Sequence, residues 1–350
     1  MKYLKLIFIP LTLTLIFLTG CIKIHTGSPD GGVFRSQDKG ETFEQRVLVE
    51  KIKKKIKTIG NVNIVTMTFD PQDSKTLYIG TQENGMYVTY NEGENWKNIL
   101  TGKGGVSSIA VDPESKNIIY AVLGNKIFKT TDGGESWEKV YMETEEGKVI
   151  TCIVIDSYDP AKVYAGTSGG NLLRSTDYGK SWVALKMFKD KVVKILINKN
   201  DTRIVYVAIR KKGLFKISPK QEDWQDVTKE IEKLKEAREV KDVILDPTKN
   251  DAILYVSSYG LFRSDDGGET WKNIKLLTAP NTVNIFSLAI NPQNSKEIYY
   301  STPSAIYKTE DGGENWRTLF SPSERAPVTI LVNPDDPNVI YLGVARLKKK

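Results

Sequence analysis

Histidine is almost missing from this chain: of 350 residues only His25 is one. That excludes a His-based catalytic triad and a His-rich metal site, and nothing in the residue pattern implies a metal or a cofactor. Cysteine is nearly as scarce, with Cys21 and Cys152 alone. Cys152 sits in an apolar stretch, residues 149–155, that reads as a strand, so a disulfide framework is excluded. Arginine is outnumbered by lysine ten to forty, and no nucleic-acid partner is expected where the fork-like side chain that reads base edges is so rare. The net charge of +7 is modest and gives only a weak pull toward anionic surfaces.

Long hydrophobic runs are also absent, apart from residues 6–18 behind Lys2 and Lys5. Thirteen residues fall short of the about 20 that cross a bilayer, so the run reads as the core of a signal peptide over residues 1–20. It ends in Leu18-Thr19-Gly20-Cys21, which resembles a bacterial lipobox. The resemblance implies that Cys21 is lipidated and becomes the first mature residue, with two or three acyl chains giving stable anchoring. The expected layout is a lipidated linker at 21–30, a body at 31–345 and a basic tail at 346–350. The expected location is the extracytoplasmic side of a membrane.

What the chain does have is repetition. The unit S/T-x-D-x-G-x-S/T/N-W/F runs through it, from Ser36-x-Asp38-x-Gly40 to Phe43 and from Thr89-x-Asn91-x-Gly93 to Trp96. Further copies centre on Asp132 with Trp137, Asp177 with Trp182, Asp266 with Trp271, and Asp311 with Trp316. A worn copy ends at Trp224. All six tryptophans close such a unit, and Phe43 closes the first. Between the boxes lie apolar stretches followed by Asp/Asn-Pro, at Asp70, Asp112, Asp159, Asp246, Asn291 and Asn333, with Asn200-Asp201 in the worn copy. Together these give seven copies near 45 residues apart.

Each copy reads as four short strands. Pro fixes φ in the first turn, and Asp can accept backbone amides there. In the box, Asp can take amide hydrogen bonds and Gly can adopt positive φ, while Trp packs its ring against its own sheet. Four-stranded units of this length, stacked radially, make a propeller. The expected fold is therefore all-β, a seven-bladed β-propeller closed by pairing of the N- and C-terminal strands.

The boxes resemble the BNR or Asp-box repeats of sialidases, sortilin-type receptors, xyloglucan-cleaving endoglucanases and photosystem II assembly factors. The resemblance implies a propeller in which the box is a folding device, away from any catalytic centre. The Arg-Ile-Pro motif of sialidases is absent. The xyloglucan enzymes set two catalytic Asp residues across a cleft between two propellers, whereas this chain has repeats for one. The reading is therefore not an enzyme, although a loop carboxylate pair for glycoside hydrolysis stays open.

Binding is expected on the edge away from the boxes, where connections vary. Lys51, Lys53, Lys54, Lys55 and Lys57 lie in one such connection, and Arg210, Lys211 and Lys212 in another. Residues 226–241 suit a short charged helix. The function read from this is a membrane-tethered interaction or assembly scaffold, with a membrane or envelope protein or anionic lipid headgroups as partner. The alternative is a polysaccharide-binding or glycoside-hydrolase-like surface protein, for which Tyr141 and Tyr259 are candidate loop aromatics.

Overall fold

The computed structural model describes residues 29–52, 55–102, 104–219 and 223–347. The signal segment, Cys21, His25, Lys53, Lys54 and the last three lysines lie outside the described residues. Within them the chain is all-β, with a single 3-10 turn at Lys229–Ile231, and no helix is long and apolar enough to cross a membrane.

The strands group in fours, each group an antiparallel meander. In the terminal unit both chain ends meet: Gly32–Ser36 pairs with Glu44–Arg46 on one side and with Ile340–Ala345 on the other, and Ala326–Val332 completes it. Units one to six follow, their first strands being Ile64–Asp70, Gly104–Val111, Ile150–Ile155, Val192–Ile197, Val240–Leu245 and Ser287–Asn291. Units one and two are also joined by a short parallel pairing, Asn84 with Gly104 and Gly85 with Gly105.

Burial explains why the second strands are apolar on both faces. Val205–Ile209 and Ile253–Ser257 are buried at every residue, because each is sandwiched between neighbouring sheets. Each apolar cluster spans two successive units. Tyr78, Met86 and Val88 of unit one meet Val106, Ile109 and Ile119 of unit two. The terminal unit packs on unit one through Val33 and Tyr341 and on unit six through Phe34 and Ile340. At about 1.5–3 kcal/mol per fully buried aliphatic or aromatic side chain, contacts between units hold the fold more than contacts within a sheet.

The box aromatics occupy these same junctions. Trp96, Trp137, Trp182, Trp224, Trp271 and Trp316 each join the cluster shared with the preceding unit, as does Phe43. Trp96 Nε1 donates to the Arg46 carbonyl at 2.9 Å, Trp137 to Ile99 at 2.7 Å and Trp271 to Val227 at 2.7 Å. The rings do pack on their own sheets, Trp271 on Tyr255 and Trp316 on Tyr300 with centroids 5.5 and 4.9 Å apart, and they also reach across to the sheet before. Trp182 differs, donating to Gly179 within its own box.

The box carboxylates act as expected from the turn chemistry. Asp177 accepts the Ser181 hydroxyl at 2.5 Å, the Ser181 amide at 2.9 Å and the Ser175 hydroxyl at 2.8 Å. Those donors, the Ser181 hydroxyl foremost, hold its pKa down to about 2. Gly134 at φ 96° and Gly268 at φ 93° make the left-handed bend. In unit two an added Cβ on Gly134 would stand 2.9 Å from Ile99 Cβ.

The first turns need one correction. Asp70, Asp112, Asp246, Asn291 and Asn333 cap them by accepting the amide two residues on. In unit three the cap is Asp156, not Asp159, and in unit four it is Asn198, not Asn200. Asp159 is instead exposed enough to pair with Lys162 at 3.0 Å.

Candidate ligand-binding face

Asp-Pro turns and boxes share one edge of the units. The opposite edge carries the turns between second and third strands and the connections between units. Of the lysines expected there, Lys51 and Lys57 are exposed. They ride on a two-stranded hairpin, Leu48–Ile52 with Lys55–Thr58, in which Lys55 pairs with Ile52. Arg210, Lys211 and Lys212 turn between strands of unit four, three units further round. Arg210 is bound to Asp190 at 2.9 Å, and the Lys212 carbonyl accepts from Arg238 at 2.6 Å. The structure thus separates the two basic groups and leaves only Lys211 of the second freely exposed.

Residues 226–241 do not form the expected helix. Beyond the 3-10 turn they are tied down, with Val227, Ile231 and Ala237 buried between units four and five. Arg238 is ion-paired with Asp226, and Tyr255 Oη donates to the Ala237 carbonyl at 3.0 Å. The segment is apolar underneath and charged only outside.

A polar collar runs around the head of the first strands. Register shifts after Ile64, Ile150, Val192, Val240 and Pro327 insert an extra residue there, which turns side chains toward the next unit. Ser108 Oγ accepts the Ile153 amide at 3.1 Å, Asp242 the Leu288 amide at 3.1 Å, and Ser287 the Ile330 amide at 3.0 Å. Lys194 meets Asp242 at 2.8 Å across units four and five. Cys152 lies in the same collar, free and with its thiol pushed up to about 11 by burial, which makes it a poor nucleophile.

Two cavities open on this edge. One of about 330 Å³ lies beside unit five, lined by Tyr259, Asn273, Leu277, Pro280, Asn281 and Val283. The Tyr259 ring stacks on Phe262 with centroids 5.7 Å apart, and Leu277 is 57% exposed. The other, of about 520 Å³, spans units two to four and is lined by Gly105, Ser107, Lys126, Phe128, Thr151 and Lys191. A third, of about 590 Å³, runs along the first strands toward the Asp-Pro turns and is walled by Leu196, Ile244, Leu331 and similar residues. Sequence reasoning found Tyr259 but missed Lys126, Lys191 and the collar. Tyr141 is not a free loop aromatic, for it packs on Trp182 at 5.7 Å.

Three carboxylates of this edge are held by cations. Asp190 has Arg210, Asp242 has Lys194, and Glu239 has Lys241 at 2.8 Å. Lys241 in particular holds Glu239 below the usual carboxylate range. Glu239 therefore stays ionised and is unsuited to donate a proton to a leaving group. Among the described residues no cluster of three or more His, Cys, Asp or Glu could hold a metal ion.

Comparison with known proteins places the chain among propeller folds. A family model described as Sortilin, neurotensin receptor 3 (Sortilin-Vps10) matches residues 259–349. Xyloglucanase Xgh74A of Acetivibrio thermocellus is 26% identical over 237 residues, covering 59% of this chain and 25% of its own. The chain therefore spans about a quarter of the length of that curated relative. A solved structure titled as YCF48 bound to D1 peptide superposes with a TM-score of 0.62 at 18% identity, over 83% of this chain and 94% of that one. The GH74 enzyme of Niastella koreensis superposes at 0.64 with 16% identity, over 81% of this chain and 51% of the other.

Proposed function

We propose that this chain is a seven-bladed propeller, closed by its two termini, that binds polysaccharide outside the cell on the edge opposite the boxes and does not cleave it. The observation carrying this reading is the sequence similarity to xyloglucanases, which extends over more than half of the chain. It is supported by two cavities on that edge whose hydroxyl, amide and aromatic lining suits sugar rings. Closure is supported by the pairing of Gly32–Ser36 with Ile340–Ala345, and by the terminal unit packing on both its neighbours. Export and a lipid on Cys21 rest on the N-terminal sequence.

Binding without cleavage is argued from the charges: Asp190, Asp242 and Glu239 are each ion-paired with an arginine or lysine. The test is affinity electrophoresis through a panel of soluble plant and microbial polysaccharides, alongside a reducing-sugar assay. Retardation without release of reducing ends is expected. Release that survives extensive purification would make the chain a hydrolase, and retardation by no polysaccharide would remove the reading.

One observation favours the scaffold function instead. The neighbour titled as bound to a peptide is matched over nearly its whole length, so a single propeller is sufficient architecture for holding a protein segment. Crosslinking of the lipidated protein in native membranes separates the two, since a stoichiometric protein partner is expected only of the scaffold.

A further inference from the structure

The geometry points to the cavity spanning units two to four as a site for an acidic sugar, a uronic acid residue whose carboxylate sits between Lys126 and Lys191. This rests on the polysaccharide reading and adds a charge to the ligand. Lys126 and Lys191 both line the cavity, and no Asp or Glu does. The neighbouring cations are already neutralised: Lys194 by Asp242 and Lys241 by Glu239. Lys126 and Lys191 make no such pair among the described residues. The acid next in the chain, Asp190, is taken by Arg210 and by the Lys191 amide at 2.7 Å. Two lysines on the wall of one hollow that has no acid in its lining give it a positive charge balance, which an anion bound there would offset.

The remaining lining selects the kind of anion. Ser107 and Thr151 bring hydroxyls. Thr151 already donates to the Val192 carbonyl at 2.6 Å, which leaves its oxygen lone pair for a ligand hydroxyl. Phe128 adds an aromatic wall. Hydroxyls, an aromatic face and a pair of lysines match a ring that has several hydroxyls, an apolar C–H face and one carboxylate. The rim is thin: a Cβ added to Gly104 or to Gly124 would meet nothing within 4 Å, and Gly124 holds φ at +58°. A polymer can therefore run over the rim while one residue enters. The volume of about 520 Å³ falls within the roughly 300–1,000 Å³ of small-ligand sites. The cavity at unit five has a different character, with Lys275 as its one charged wall residue.

The test is titration calorimetry with trigalacturonate, its methyl ester and a neutral xyloglucan heptasaccharide. Trigalacturonate is expected to bind, and Lys126→Ala and Lys191→Ala are each expected to weaken it roughly tenfold, as for loss of one charge-assisted contact. The methyl ester, with the same ring and no charge, is expected to bind as weakly as the double variant binds the acid. Lys51→Ala with Lys57→Ala, on the distant hairpin, is expected to change nothing. Equal binding of acid and ester, or equal loss in the hairpin variant, would overturn the site. If the neutral heptasaccharide binds while trigalacturonate does not, the acidic site fails and the polysaccharide reading stands. If neither binds, both fall.

Discussion

The two edges of this molecule obey different rules. On the box edge one arrangement recurs: a Ser or Thr hydroxyl accepts the glycine amide four residues on, at 2.8 Å for Gly40 and 2.9 Å for Gly134. An Asp binds the hydroxyl and amides of its own turn, and an aromatic ring fills the junction behind. On the opposite edge the connections between units differ. One is a hairpin, one is a buried 3-10 segment, and two frame cavities. Repetition on the first edge fixes the spacing of the sheets, and that rigidity lets the second edge vary without loss of the fold. Substitutions should therefore cost stability on the box edge and binding on the other.

The largest effect should come from the strand that joins the chain ends. Deleting residues 331–350 removes Ile340–Ala345, which pairs with both Gly32–Ser36 and Ala326–Val332. The cooperative thermal transition followed by circular dichroism should disappear. A melt unchanged by the deletion would show that the terminal unit is not needed to hold the fold.

Next come the junction tryptophans. Trp96 is 1% exposed and bound to the Arg46 carbonyl, so Trp96→Ala should cost about 3–5 kcal/mol in urea unfolding. Trp182 makes its hydrogen bond within its own box, and Trp182→Ala should cost less. Equal losses would erase the distinction between rings that bridge units and one whose hydrogen bond stays local. Gly134→Ala should also destabilise, through a strained φ and a clash with Ile99, by about 1–3 kcal/mol.

How far this contrast could be read from the sequence depends on the edge. Box, ring and repeat length were legible because Asp, Gly and Trp at fixed offsets admit few turn geometries. The first-turn caps were legible in five units. In unit three Pro160 drew attention to Asp159, but the strand ends earlier, and Asp156 is the carboxylate that meets the free amides. The collar was not legible: each extra residue that shifts register is an ordinary Val, Thr or Lys, and its direction depends on the sheet beside it. Lys126 and Lys191 are 65 positions apart in the chain, and only the packing of three units brings both to one cavity. The lysine run at 51–57 was conspicuous in sequence, but its described members Lys51, Lys55 and Lys57 sit on a hairpin three units away from Arg210.

Acid should distinguish the edges more gently. Asp177 is held to about 2 by its box donors, against roughly 3.9 in an unfolded chain. A depressed folded pKa contributes stability that is present above the unfolded value and is lost as pH falls through the folded one. The melting temperature should thus decline between about pH 4 and pH 2, and Asp177→Asn should flatten part of that decline. The smallest effect belongs to Lys51→Ala with Lys57→Ala, both exposed and without ion pairs among the described residues. Their removal should leave the melting temperature within about 0.5 kcal/mol equivalent of the parent.

The central claim is that the edge away from the boxes is the one that recognises a glycan. Hydrogen exchange of the whole protein, with and without the polysaccharide that retards it most in electrophoresis, tests this most directly. The account predicts added protection in the turns around Lys126 and Thr151 and around Tyr259 and Leu277, with none in the boxes at Asp132, Asp177 or Asp266. Protection confined to the boxes, or unchanged exchange with a polysaccharide that does retard the protein, would contradict it.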